Sequence, residues 1–66
     1  MRNPERIYPF AMRIAAAWSK MPDQRFGQLI SNFFCWLDGQ QKDYFYMEDD
    51  ELIQQFEAYV AIFTEY

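Results

Sequence analysis

Histidine is absent from this 66-residue chain, and cysteine occurs once, at Cys35. A lone cysteine excludes an intrachain disulfide, and a zinc site would have to combine that one thiol with carboxylates. Apolar runs are far shorter than the roughly 20 residues that cross a bilayer. The first ten residues also lack the apolar segment of a signal peptide. We therefore expect a cytoplasmic protein with no metal and no membrane contact, and we expect Cys35 to be a buried small hydrophobe.

The residue patterns that usually accompany catalysis are also missing. The sequence shows no nucleophile with a neighbouring base, and its two glycines form no phosphate-binding loop. The carboxylates between 43 and 51 lack the alternating spacing and the central glycine of a calcium loop. We therefore expect no enzyme, no catalytic residue and no cofactor-binding residue.

Aromatic residues are abundant instead, at 21% of the chain. A domain of this length buries only about 60% of the surface that its unfolded chain exposes, so its single core needs reinforcement. Each aromatic ring can bury roughly 150–250 Å². The aromatic content therefore predicts a small core rich in rings. Because three short helices cannot easily hide so many rings, it also predicts a homodimer formed through helices 2 and 3.

Three helical patterns predict an all-α, three-helix mini-bundle, a single domain over residues 1–66. Asn3 and Pro4 are typical of a helix start, although Pro9 allows either a later start at Tyr8 or a kinked first turn. Helix 2 is predicted over 24–37, and helix 3 over 50–64. The apolar faces at helical spacing are Ile7, Phe10, Ile14 and Trp18 in helix 1, Phe26, Leu29, Ile30, Phe33 and Leu37 in helix 2, and Leu52, Ile53, Phe56, Tyr59, Val60 and Phe63 in helix 3.

Several single residues of helix 2 also carry expectations. Asp23 is predicted to cap the start of the helix and Gly39 to stop it. Gly27, inside the pattern, indicates close packing by a neighbour. Arg25 is unfavourable at a helix start, so we expect it to pair with an acid at the start of helix 3.

Charge is divided unevenly along the chain. Residues 1–42 hold all six bases and three acids, a net charge of +3, whereas residues 43–66 hold seven acids and no base. An acidic segment repels nucleic acid and attracts basic protein surfaces. We therefore expect a protein partner with a basic surface and no direct contact with nucleic acid.

The stretch from Tyr44 to Leu52 combines aromatic rings with four consecutive carboxylates. Alternation predicts a short extended aromatic segment before helix 3, with Phe45 inward and its neighbours outward. One interpretation of the acids is structural, since Asp49 or Glu48 could cap helix 3 while the next two meet its dipole. The other is a protein-binding surface of tyrosines and acids. The partner-binding residues predicted on that interpretation are Tyr44, Tyr46, Glu48, Asp49, Asp50 and Glu51.

Trp18, the run from Pro22 to Ile30 and the run from Asp43 to Leu52 form a pattern that resembles a group of small proteins from bacteria and their phages. The likeness covers about residues 6–53 and implies a compact helical unit, without an established activity to transfer. Small acidic phage proteins often obstruct a host or defence protein, as anti-CRISPR proteins do, and this chain is similar to them in size and charge.

Two hypotheses of function follow. The first is an acidic inhibitor, of the anti-CRISPR or host-takeover type, that occupies a basic nucleic-acid-binding surface of its partner. The second is a structural or assembly subunit that acts through its apolar aromatic face. Salt distinguishes them, because only the first predicts binding that weakens steeply as ionic strength rises.

Overall fold

The computed structural model describes residues 2–64 and confirms the all-α three-helix bundle. Helix α1 spans Ile7–Trp18, α2 spans Phe26–Gly39 and α3 spans Asp49–Thr64. Two single turns of 3-10 helix, Pro4–Arg6 and Tyr44–Tyr46, precede α1 and α3, and residues 2–64 contain no strand. No helix in this part of the chain has both the length and the apolar character that a membrane crossing needs.

The start of the chain explains how Pro9 is accommodated. Asn3 caps the first 3-10 turn by accepting a hydrogen bond from the backbone N–H of Glu5 at 3.0 Å. Pro4 follows this cap, and Pro9 lies in the first turn of α1, where its missing N–H is least costly. The α-helix therefore begins at Ile7, one residue before Tyr8, the later start that the sequence allowed.

The core lies mainly between α2 and α3. The residues that are almost wholly buried are Ala17 of α1, Leu29, Phe33 and Leu37 of α2, and Ile53, Phe56, Tyr59 and Val60 of α3. Phe33 is the centre of this cluster, because its ring lies 5.1 Å from that of Phe56 in an edge-to-face arrangement and 5.6 Å from that of Tyr59. The predicted helical registers of α2 and α3 are confirmed along most of their length, but Phe26 and Phe63, predicted on the same faces, lie at the helix ends and are about half exposed.

Helix α1 packs closely along α3 and scarcely approaches α2. The order of ion pairs shows that α1 and α3 run in the same direction, since Arg6 pairs with Asp49 and Arg13 pairs with Glu57. An apolar groove of about 280 Å³ lies where the three helices meet, with Leu52 and Phe56 of α3 in its lining. Its walls include Phe10 and Ile14 of α1 and Phe26 and Ile30 of α2.

The boundaries of α2 differ from the prediction. Asp23 does not cap the helix, because the chain forms a turn through Met21 and Gln24 and becomes helical only at Phe26. The backbone N–H of Arg25 donates instead to Oε1 of Gln28 at 3.1 Å. At the other end Gly39 is the last helical residue, and the left-handed conformation falls on Gln41, at φ 60°. Hydrogen bonds from residues 41 and 42 back to Asp38 and Leu37 complete a Schellman motif around it.

Three other expectations for α2 are wrong. A Cβ built on Gly27 meets nothing within 4 Å, so no neighbour packs closely there. Cys35 is exposed on the outer face, because the buried stripe of α2 passes through Phe33 and Leu37 instead. Arg25 forms no ion pair within residues 2–64, and the acids at the start of α3 pair with Arg2 and Arg6. Those arginines are closer because α1, rather than the start of α2, lies along α3.

Candidate protein-binding surface

The aromatic segment before α3 is present, in the form of one 3-10 turn with extended backbone at Asp43 and Met47 on either side. Asp43 caps the turn, since its Oδ1 accepts a hydrogen bond from the N–H of Phe45 at 3.0 Å. A 3-10 turn directs its side chains around an axis rather than alternately to two faces. The alternation that was expected of Tyr44, Phe45 and Tyr46 therefore does not occur.

Tyr44 anchors the segment. Its ring stacks on Phe34 of α2, with centroids 4.1 Å apart and planes only 7° from parallel. Phe45, predicted to point inward, is instead 78% exposed, and Tyr46 is 81% exposed. The rings of Phe45 and Tyr46 contact each other edge to face at 4.9 Å. Tyr44 thus holds the turn against the bundle while two large rings face solvent side by side.

The acidic run divides into two paired and two unpaired carboxylates. Glu48 lies 3.2 Å from Nη2 of Arg2, and Asp49 pairs with Nη1 of Arg6. Asp50 and Glu51 are exposed and take part in no ion pair among residues 2–64. Hence only half of the predicted acidic surface remains available to a partner without first breaking a contact within the chain.

Of the two predicted caps, Glu48 holds the cap position of α3 through its backbone, while its side chain pairs with Arg2 and accepts no N–H from helix residues 49–64. The carbonyl of Glu48 accepts the first helical hydrogen bond, from the N–H of Leu52 at 2.9 Å, so Glu48 occupies the cap position. Asp49 already belongs to the helix, and Oδ1 of Asp50 accepts from the N–H of Glu51 at 2.9 Å. Three acids in the first turn also favour the positive end of the helix dipole. The structural role of the acidic run is therefore real.

A shallow cleft of about 320 Å³ lies beside the unpaired acids. It is lined by Lys42, Asp43, Tyr46, Met47 and Glu51. Nζ of Lys42 donates to Oε1 of Gln55 at 3.0 Å, which holds the cation against α3. Asp43, Tyr46 and Glu51 therefore share one surface, whereas Tyr44, the other predicted tyrosine, lies half-buried against Phe34.

The third ion pair has the best geometry of the three. Nε and Nη2 of Arg13 donate to the two carboxylate oxygens of Glu57, at 3.0 Å and 2.5 Å. This bidentate hydrogen bond lowers the pKa of Glu57 below its ordinary value and raises that of Arg13. Together the pairs of Arg2, Arg6 and Arg13 form a line along the contact of α1 with α3, which we call the arginine seam.

Two further observations concern metal binding and the titration of a core tyrosine. Within residues 2–64 no group of three cysteine, aspartate or glutamate side chains could hold a metal ion. Burial raises the pKa of Tyr59, a core residue whose ring packs against Phe33.

Sequence reasoning missed the outer face of α1. Tyr8 is 71% exposed and Met12 is 72% exposed, and Ala11, Ala15 and Ala16 also face solvent. A signal was available, because Arg13 is the only charged residue between Ile7 and Trp18. A helix with only one charged residue is apolar around most of its circumference. It therefore exposes apolar surface beyond the stripe that packs against the core.

Comparison of the chain with protein-family models, with curated proteins and with solved structures found no match. The resemblance to small bacterial and phage proteins therefore remains an interpretation of the sequence, and function has to be argued from the surface itself.

Proposed function

We propose that this protein is a non-enzymatic, cytoplasmic protein-binding module whose acidic and aromatic end engages a basic surface of a protein partner. The observation that carries the proposal is the exposure of Phe45 and Tyr46 next to the unpaired carboxylates of Asp50 and Glu51. Rigid aromatic rings commonly provide the central contacts of an interface, and charges at its rim select the partner and raise the association rate.

The turn that carries these rings is well supported. Stacking of Tyr44 on Phe34, the cap from Asp43 and the Schellman motif at Gln41 all fix its backbone before any partner arrives. A preordered loop loses less conformational entropy on binding than a flexible one does. In this proposal Phe45 and Tyr46 bind first, and Asp43, Asp50 and Glu51 contact arginine or lysine around them.

Basic surfaces on bacterial proteins commonly bind nucleic acid. A small acidic protein that occupies such a surface blocks nucleic-acid binding and so acts as an inhibitor. The net charge of −4 supports such a role, as does the similarity in size and charge to phage inhibitors. The arginine seam restricts it, because Glu48 and Asp49 are engaged with Arg2 and Arg6. The proposed partner contacts are therefore Tyr46, Asp50 and Glu51 of the predicted set, together with Asp43 and Phe45.

The test begins with affinity capture from host lysate treated with nuclease, followed by mass spectrometry. Binding of the purified partner is then measured by calorimetry for the wild type and for the double variant Asp50→Lys/Glu51→Lys. We expect affinity to fall at least about 30-fold, and wild-type affinity to fall as salt is raised. The control is Asp23→Lys/Asp38→Lys, which makes the same charge change at two other exposed acids.

Equal affinity of the two double variants would contradict the proposal, because net charge rather than this surface would then govern binding. The expected control result is a small, salt-sensitive loss. Circular dichroism establishes that both variants remain helical. A gel shift with DNA and RNA at low salt should show no complex with the protein alone.

The second candidate function, an assembly subunit, is favoured by a different observation, the exposed apolar face of α1. It predicts partner binding that is nearly independent of salt and insensitive to the reversal of Asp50 and Glu51. The calorimetric series above distinguishes the two functions in one experiment.

A further inference from the structure

The outer face of α1 is exposed and nearly free of charge. Its largest side chains are Tyr8 and Met12, at 71% and 72% exposure, and Ala11, Ala15 and Ala16 surround them. Arg13, the one charged residue of the helix, is turned away toward Glu57. A helix that faces water along this side would normally carry charged residues there. This surface therefore has the composition of an interface.

The charge of the chain restricts what can cover that face. At a net charge of −4, two copies repel each other through most of their surface. Contact through the outer face of α1 removes no carboxylate from water, so it avoids the desolvation cost that the start of α3 would incur. A second copy of the chain can thus associate here despite its like charge.

A shallow cleft on the same face provides a receiving site for a side chain. It has a volume of about 270 Å³ and is lined by Ala15, Trp18, Ser19 and Pro22. Tyr8 lies two helical turns earlier, about 10 Å along the axis. If two α1 helices pair antiparallel with the symmetry axis between Ala11 and Met12, Tyr8 of each copy lies opposite Ala15 of the other, and Met12 lies opposite Ala11.

We propose that this protein forms a two-fold symmetric dimer through α1, in which Tyr8 of each subunit inserts into the partner's cleft at Ala15, Trp18, Ser19 and Pro22. Large residues then face small ones along the whole contact, which allows the two helices to approach closely. The contact is isologous: the same surface of both subunits takes part in it. No copy of that surface stays exposed to bind a further subunit.

Electrostatics selects the antiparallel orientation. Since α1 and α3 run in the same direction, the acidic start of α3 lies at the same end of the molecule as the start of α1. A parallel pair would place the two acidic ends side by side. An antiparallel pair about that axis separates them by about 16 Å along the helices, about twice the screening length of about 8 Å at physiological salt.

The available area is sufficient. Tyr8, Met12 and Ile7, together with Phe26, whose ring lies 5.5 Å from that of Trp18, are each exposed by about half or more. Side chains of this size provide roughly 400–500 Å² in one copy, so that a symmetric pair buries on the order of 1,000 Å² with the alanines included. That is about the minimum for a specific interface, which indicates a dimer of moderate affinity.

The homodimer expected from the sequence was assigned to helices 2 and 3. Most of their rings pack within the subunit, since Phe33, Phe56 and Tyr59 are buried and Phe34 is covered by Tyr44, while Phe26 and Phe63 are about half exposed. The proposal therefore moves the interface to α1 and does not depend on the function proposed above.

Sedimentation equilibrium of the full chain tests the proposal with matched pairs of variants. At about 200 µM we expect the wild type to be mainly dimeric. Tyr8→Ala, which removes the inserted ring and favours helix, should raise the dissociation constant at least about 10-fold. Tyr46→Ala removes an equally exposed tyrosine at the other site and should change it less than about threefold.

A second pair of variants tests the receiving cleft. Ala15→Glu places a carboxylate at the contact and should leave the protein monomeric, whereas Ala58→Glu, at an exposed alanine of α3, should leave the dimer intact. Circular dichroism establishes that each variant is helical. A monomeric wild type at about 1 mM would overturn the proposal, as would dimerisation of Ala15→Glu or Tyr8→Ala with unchanged affinity.

The two proposals fail separately. Asp50→Lys/Glu51→Lys should weaken binding of a basic partner at least about 30-fold and leave the dimer unchanged, while Tyr8→Ala should weaken the dimer and leave partner binding unchanged. Loss of the dimer in the lysine double variant would show that copies meet through the acidic end, and would contradict the interface at α1.

Discussion

Helix α1 has two flanks that differ in chemistry. Toward α3 it presents Arg6, Arg13 and the buried Ala17, and it is held there by the arginine seam. Phe10 and Ile14 line the apolar groove that α1 shares with α2 and α3, whereas its other flank, the outer face, bears Tyr8 and Met12. The ion pairs therefore add to the packing of α1 on α3, and apolar surface is left exposed on the outer face.

The fold also reduces the uneven distribution of charge that the sequence shows. The basic first part of the chain and its acidic last part meet in space, so three of the acids are neutralised by arginines of the first thirteen residues. What reaches solvent as unpaired negative charge at the start of α3 is Asp50 and Glu51, with Asp43 nearby. Positive and negative charges that are separated along the sequence are therefore closer together, and partly paired, on the folded surface.

The largest expected difference in the free energy of unfolding is between a substitution in the closed core and one at the edge of the open groove. Phe33, only 2% exposed, contacts four other rings, whereas Phe26 is 51% exposed at the edge of the groove. Phe33→Ala should lower the free energy of unfolding by about 3–5 kcal/mol, enough to unfold a domain of this size, and Phe26→Ala by about 1 kcal/mol. Urea unfolding at one low protein concentration measures both.

Equal losses for the two phenylalanines would contradict the description of the groove as open, because Phe26 would then be packed as tightly as Phe33. The protein concentration has to be fixed in that series, since dimer formation adds to apparent stability.

A smaller, stabilising effect is expected on the exposed side of α2. Gly27 lies in the first turn of α2, and no neighbouring atom comes within 4 Å of the place that a methyl group would take, so Gly27→Ala adds helix propensity without a clash. We expect the free energy of unfolding to rise by about 0.5–1 kcal/mol. Gly39→Ala, at the last residue of the same helix, is the control and should give less. A loss of stability in Gly27→Ala would show that α1 or a second copy approaches this face.

The smallest effect concerns the arginine seam and its dependence on pH. Because Arg13 depresses the pKa of folded Glu57, the pair stabilises the fold above the ordinary glutamate pKa of about 4.5 and loses this contribution as pH falls through the depressed value. Glu57→Gln should therefore be less stable than the wild type at pH 7, and the difference should vanish in acid. Urea unfolding at several pH values measures it.

Glu5→Gln is the control for the seam, since Glu5 is exposed and forms no ion pair among residues 2–64. A difference between Glu57→Gln and the wild type that persists unchanged in acid would mean that packing, rather than charge, accounts for the loss.

Much of the fold follows from local sequence patterns. The apolar registers of α2 and α3 predicted the burial of Leu29, Phe33, Ile53 and Phe56, because helical periodicity specifies a face whatever that face packs against. The helix ends were less predictable, since capping depends on competing side chains such as Gln28 and on a left-handed residue, Gln41, that is not glycine.

The candidate site was predictable only in part. The acids and tyrosines were visible as a cluster, but which ring packs inward depended on the 3-10 turn, and so Tyr44 and Phe45 exchanged their expected roles. The seam could have been suspected from equal spacing, because Arg6 and Arg13 are separated by nearly the same distance as Asp49 and Glu57 on a parallel helix. The parallel packing itself is a tertiary property that local patterns do not contain.

The most direct test of the difference between the two flanks of α1 is a dilution series followed by amide NMR, from about 1 mM to about 20 µM. The shifts that change with concentration should be confined to the outer face of α1, the adjoining turn and the start of α2, within residues 7–26, and should leave the first turn of α3 unaffected. Changes concentrated at Phe45, Tyr46 and Glu51, or no change at any amide, would contradict the assignment of the open flank to self-association.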